Sequence, residues 1–162
     1  MRKRSMLKDS SLGFSITEVI SGCLIITILG SVAVAGFTSW LPGYRLKNAA
    51  RELYSNMQRT KMIAIKSNAN ASIIFTASPS QYVVSGVTRT VILSDYGSGV
   101  RFQGPAGQTF SVGTITFNSR GMCNSGYAYL TNEQNTAFYR VGPSWSTGVL
   151  RFQKHVSGST WK

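Results

Sequence analysis

Acidic residues are scarce in this chain. Its 162 residues carry five Asp and Glu against 17 Lys and Arg, a formal charge of +12 at neutral pH. Cysteine and histidine are scarcer still, at two and one. So few carboxylates argue against a carboxylate-rich cation cage, and one His with two Cys falls short of a structural zinc set. Two Cys also exclude a disulfide framework. A hydrolytic triad would have to use His155, which has no acid near it in the sequence. No stretch has the spacing of a nucleotide-binding loop. An enzyme is therefore disfavoured, and we assign no catalytic residue, metal or cofactor. Repeats and low-complexity tracts are missing too. With 43% apolar and 14% charged residues, the chain is no disordered polyelectrolyte, and its length fits one domain with a modest core. The excess of base points to anionic surroundings, phospholipid or nucleic acid, and says nothing about fold.

The apolar residues are concentrated near the start. No residue from Val19 to Leu41 is charged, and counting back to Phe14 gives 28 residues with a single charge, Glu18. A helix needs roughly 20 such residues to cross a bilayer. A run of 28 is too long for the buried core helix of so small a domain. Arg2, Lys3, Arg4 and Lys8 precede it, and positive flanks stay cytoplasmic. The expected topology is a single pass with the N-terminus inside and everything after about Trp40 outside. The apolar part is too long for a cleavable signal peptide and has no small-x-small site followed by turn residues. Glu18 is the anomaly, because an acid in a spanning helix costs a few kcal/mol and usually has a partner.

Gly13-Phe14-Ser15-Ile16-Thr17-Glu18-Val19-Ile20 resembles the processing site of type IV pilins and pseudopilins. The features shared are a short basic leader ending in Gly, then Phe, Glu at the fifth residue after the Gly, and a retained apolar helix. The resemblance implies that prepilin peptidase cuts after Gly13 and methylates the new amino group of Phe14. It also implies a filament core in which Glu18 of one subunit pairs with the Phe14 ammonium of its neighbour, offsetting the cost of burying both charges. Loss of residues 1–13 removes four bases and one acid, leaving 13 against 4, so the mature chain stays basic.

Beyond the apolar run, Pro42-Gly43 predicts a local break or kink and is an expected element of filament assembly. Tyr44 to about Asn68 reads as an amphipathic helix, with Leu46, Ala50, Leu53, Met57 and Ala64 on one stripe. Asn68-Ala69-Asn70 supplies its stop. From 71 onward, short β-branched and aromatic runs alternate with Gly, Ser, Asn and Pro. Strands are expected at 72–76, 81–85, 89–93, 100–103, 109–112, 114–118, 127–131, 137–141 and 149–153. The fold class is α+β: a long N-terminal helix, membrane-spanning then amphipathic, followed by antiparallel sheets as a sandwich or open barrel. The divisions are a leader (1–13), a transmembrane and filament-core helix (14–41), a packing helix (42–70) and an exported β-rich domain (71–162).

The soluble part is similar to GspH/FimT-type proteins at Leu46–Leu53 and Arg59–Asn68 in the helix, at Ile115–Gly121, and at Tyr139–Val141 with Thr147–Arg151. The resemblance implies a minor subunit of a type IV pilus or of a type II secretion pseudopilus. Its partners would be other pilins, prepilin peptidase, an inner-membrane assembly platform and, before assembly, membrane lipid. A second function comes from the same family. Some FimT-like members are DNA receptors in natural transformation, with a basic Gly-Arg-x-Arg loop. Here the matching stretch is Gly148-Val149-Leu150-Arg151, which keeps one Arg of the two. Arg120, Arg140, Arg151, Lys154 and Lys162 would make phosphate contacts, and Trp161, on a mobile tail, would stack on bases.

Overall fold

A computed structural model describes residues 13, 15–87, 89–157 and 160–162. The leader, apart from Gly13, and Phe14 lie outside the described residues. The chain divides into two units, 1–38 and 39–162.

One helix, α1 (Ile16–Ser67), carries the chain from the first unit into the second. Ser15 precedes it, and the Ser15 carbonyl accepts the first turn's N–H groups from Glu18 and Val19 at 3.0 and 3.1 Å. The expected break at Pro42-Gly43 does not appear as an end of helix: Pro42 lies inside α1. A proline removes one helical hydrogen bond and crowds the preceding turn, a cost of about 3 kcal/mol that the packing of the next turns can offset. That packing is the amphipathic stripe. Leu46, Ala50, Leu53, Met57 and Ala64 are all fully buried, and each large member contributes roughly 1.5–3 kcal/mol. The helix stops as its sequence predicts. Asn68 takes φ +48°, its N–H donates to Ile65 O, and the Ala69 N–H donates to Ala64 O. This is a Schellman cap with Asn in the left-handed position.

Among the described residues, nine strands follow: β1 (Ala71–Thr76), β2 (Gln81–Val84), β3 (Arg89–Ile92), β4 (Arg101–Phe102), β5 (Thr114–Phe117), β6 (Ala128–Thr131), β7 (Phe138–Pro143), β8 (Leu150–Ser157) and β9 (Thr160–Trp161). They form two antiparallel sheets, in the orders β3-β2-β1-β5 and β4-β6-β7-β8-β9. Eight of the nine expected runs coincide with strands to within a few residues. The run at 109–112 is not a strand. Phe110 makes one isolated bridge to Ala128, and Ser111 Oγ accepts the Tyr127 N–H at 2.7 Å in place of a backbone carbonyl. A side-chain hydroxyl that substitutes for the ladder interrupts it.

The two sheets and the outer half of α1 share one core. Phe75 of β1 and Phe102 of β4 meet edge to face at 5.7 Å between ring centres, and Phe110 lies against both. Tyr54 of α1 meets Phe152 of β8 at 6.3 Å. The buried polar groups are paired. The Asn56 amide donates to the Tyr82 hydroxyl at 2.8 Å, and Thr60 donates to Asn56 O at 2.7 Å. Burial, the largest cause, pushes the Tyr82 phenol up to about 12, against the opposing Asn56 hydrogen bond.

Candidate assembly helix and basic sheet face

Between Ile16 and Leu29, the Leu, Ile and Val side chains of α1 are 54–78% exposed. A row of large apolar groups left open over four turns requires lipid or other helices as its surroundings. Glu18 lies in the first turn, where its carboxylate is favourably placed against the helix dipole. Gly13 is exposed, and a side chain there would meet nothing within 4 Å. Phe14, on the other side of the expected cut, is outside the described residues. A side chain at Gly43 would likewise meet nothing within 4 Å, so no contact demands glycine at that position.

The residues expected to bind DNA are divided among three places. Strand alternation puts Arg140, Arg151 and Gln153 on the outer face of the second sheet, opposite Tyr139, Val141 and Phe152. Arg140 is held firmly there. Its Nε–H donates to Gln153 Oε1 at 2.9 Å, and its guanidinium lies 4.6 Å from the ring centres of both Tyr127 and Trp161. Lys154 is on the opposite face, on the same side as Phe152. Arg120 is exposed in the turn after β5, its N–H bonded to Asn118 Oδ1 at 3.0 Å. The mobile tail is replaced by a strand. Lys162 and Lys154 exchange backbone hydrogen bonds, and His155 pairs with Trp161. Trp161 is half-buried against Arg140, Tyr129 and His155. The Trp161 ring expected to stack on bases instead packs tilted against Tyr129, edge-on to His155 and against the Arg140 guanidinium.

The Gly148 of the motif stretch has a backbone role. Its φ is +72°, a side chain there would run into the Gly121 carbonyl oxygen, and its own carbonyl accepts from Lys61 Nζ at 3.0 Å. These contacts close the β7–β8 hairpin over the 118–123 turn. Cys123 lies under the same hairpin, buried and free, and burial pushes its thiol up against the opposing effects of Gly148 and Lys61. It stays protonated at neutral pH and behaves as a small apolar side chain.

Sequence reasoning missed one grouping. Trp40 and Tyr44 stack at 4.9 Å, and with Lys47, Lys154 and Tyr139 they line a cavity of about 300 Å³. Lys47 and Lys154 are 107 positions apart, so only the sheet pairing reveals them as neighbours.

No protein-family profile matches the chain, and no curated protein matches it in sequence. Solved structures do match. A crystal structure of the type IV minor pilin FimU from Pseudomonas aeruginosa PAO1 superposes with a TM-score of 0.53, at 12% identity over 72% of this chain and 92% of that one. The fold is that of a type IV minor pilin. A second crystal form of FimU gives a TM-score of 0.45 at 15% identity, over 72% of this chain and 96% of that one.

Proposed function

We propose that this chain is a minor pilin or pseudopilin, a structural or priming subunit of a type IV pilus or type II secretion pseudopilus. One observation carries the reading: a minor-pilin fold whose helix includes an apolar stretch with its large side chains exposed between Ile16 and Leu29. The chain enters the inner membrane once, with its N-terminus cytoplasmic and its β domain periplasmic. Prepilin peptidase cuts after Gly13 and methylates Phe14, and the assembly platform then moves the apolar helix from lipid into a bundle of like helices. Methylation leaves the Phe14 nitrogen cationic, so Glu18 of the neighbouring subunit pairs with it. Glu18→Ala tests this directly. The variant is cleaved normally, and its incorporation into filaments falls by about an order of magnitude.

A second reading, capture of DNA, is supported by the outer face of the second sheet. That face carries Arg101, Arg140 and Arg151, and the five strands of the sheet hold no acid. Duplex DNA is titrated at several salt concentrations, beside a variant with Arg151, Lys154 and Lys162 replaced by Ala. On this reading, binding survives near-physiological salt and the salt slope falls by roughly one per phosphate contact removed. Binding that vanishes with salt and ignores the substitutions assigns the charge to generic attraction.

A further inference from the structure

The cavity between α1 and strands β7 and β8 has a composition that the assembly role does not use. Lys47, half-buried on α1, and Lys154, exposed on β8, open onto the same space of about 300 Å³. Neither ammonium has an ion-pair or hydrogen-bond partner among the described residues, and the one ion pair among them is Arg89–Glu52. No acid among the described residues lines the cavity. Two like charges converge on a common space only at a cost, which an anion between them removes. Arg51, one turn beyond Lys47, adds positive potential from the same side and acts on the buried Tyr139 phenol at the cavity floor.

The place along the helix selects the anion. The uncharged run ends at Leu41, and Lys47 lies six residues later, about 9 Å along the axis. Trp40 and Tyr44, stacked and exposed beside the cavity, are the amphipathic rings that favour the headgroup level of a bilayer. Lys side chains at such a level keep their stems on apolar surface and their ammonium groups among phosphates.

We propose that Lys47 and Lys154 hold the phosphodiester of an anionic phospholipid headgroup, with Trp40 and Tyr44 against its glycerol and upper acyl region. The inference rests on the membrane-inserted reading above. Such a site fixes how the β domain sits on the outer leaflet before the subunit is extracted.

The test uses the full chain. Flotation with vesicles of phosphatidylcholine alone checks insertion separately, and failure to float contradicts the spanning helix rather than the headgroup site. Detergent-solubilised protein is then titrated with phosphatidylglycerol and followed by native mass spectrometry. Lys47→Gln and Lys154→Gln keep most of each stem and remove the charge. The wild type retains phosphatidylglycerol over phosphatidylcholine. Each substitution lowers retention about fivefold and the pair about 30-fold, equivalent to about 1 kcal/mol per cation near an anionic surface. Lys154→Arg restores retention, and Arg120→Ala, in a distant turn, leaves it unchanged. Equal retention by wild type and double variant, with both floating, overturns the proposal. Displacement of the lipid by millimolar inorganic phosphate also overturns it, and assigns the two ammonium groups to free phosphate.

Discussion

Gly148 separates backbone chemistry from charge chemistry in the stretch that resembles a DNA-binding loop. Its φ of +72° and its contact with the Gly121 carbonyl leave no room for a side chain. Gly148→Ala is therefore expected to destabilise the β domain by about 2–3 kcal/mol, a fall in Tm of roughly 10 °C. Gly107 is the control. It has φ +80° with nothing within 4 Å of a built side chain, so Gly107→Ala carries only backbone strain of about 1 kcal/mol. Equal losses in the two variants would show that the Gly121 contact has no energetic role. Tyr82 makes a second prediction at this scale. Its phenol titrates near 12 in the folded chain and near 10 when unfolded. The folded state keeps the proton that the unfolded state loses, so stability is constant below about pH 10 and falls by about 2–3 kcal/mol towards pH 12. Burial moves Tyr96 and Tyr139 in the same direction. Tyr82→Phe accordingly reduces the alkaline slope of the urea midpoint without abolishing it. At neutral pH that variant is also weaker, because the Asn56 amide loses its acceptor.

Among the elements, legibility followed the length of the periodic signal. Five positions on the outer half of α1 repeat at helical spacing over nineteen residues, and all five are buried. Its end was equally legible, since Asn tolerates the left-handed conformation that a Schellman cap requires. Pro42 does not end the helix. Local rules weigh the missing N–H and the ring clash, and they have no access to the core that the following turns bury. The 109–112 run was misleading for a related reason: four strand-forming residues do not reveal that the Ser111 hydroxyl takes the place of a ladder acceptor. Strand β9 was hidden because two residues carry no period, and its pairing depends on β8 being in place. The basic groups were legible as a list and not as a site. Strand alternation puts Arg151 and Lys154 on opposite faces, while sheet pairing brings Arg140 and Trp161 together and Lys154 towards Lys47.

At the scale of the whole molecule, the long apolar run, the amphipathic stripe and the alternating strand and turn signals after it predict one long helix followed by antiparallel sheets, and that is the fold. The fold agrees with a type IV minor pilin at 12% identity, a level at which the shape is retained and the side chains are almost wholly replaced. The exposed apolar side chains between Ile16 and Leu29 call for lipid or other helices around them, and the proposed assembly supplies each in turn. Glu18 decides between them. In lipid its charge is a cost, and beside a neighbour's N-terminal ammonium that cost is offset. The measurement is the amount of chain in sheared filaments relative to the membrane fraction, for wild type and Glu18→Ala, with leader cleavage read from the N-terminal peptide. The assembly reading predicts a peptide beginning at methylated Phe14 in both, and about tenfold less Glu18→Ala in the filaments. Equal incorporation of the two would contradict the pairing on which it depends.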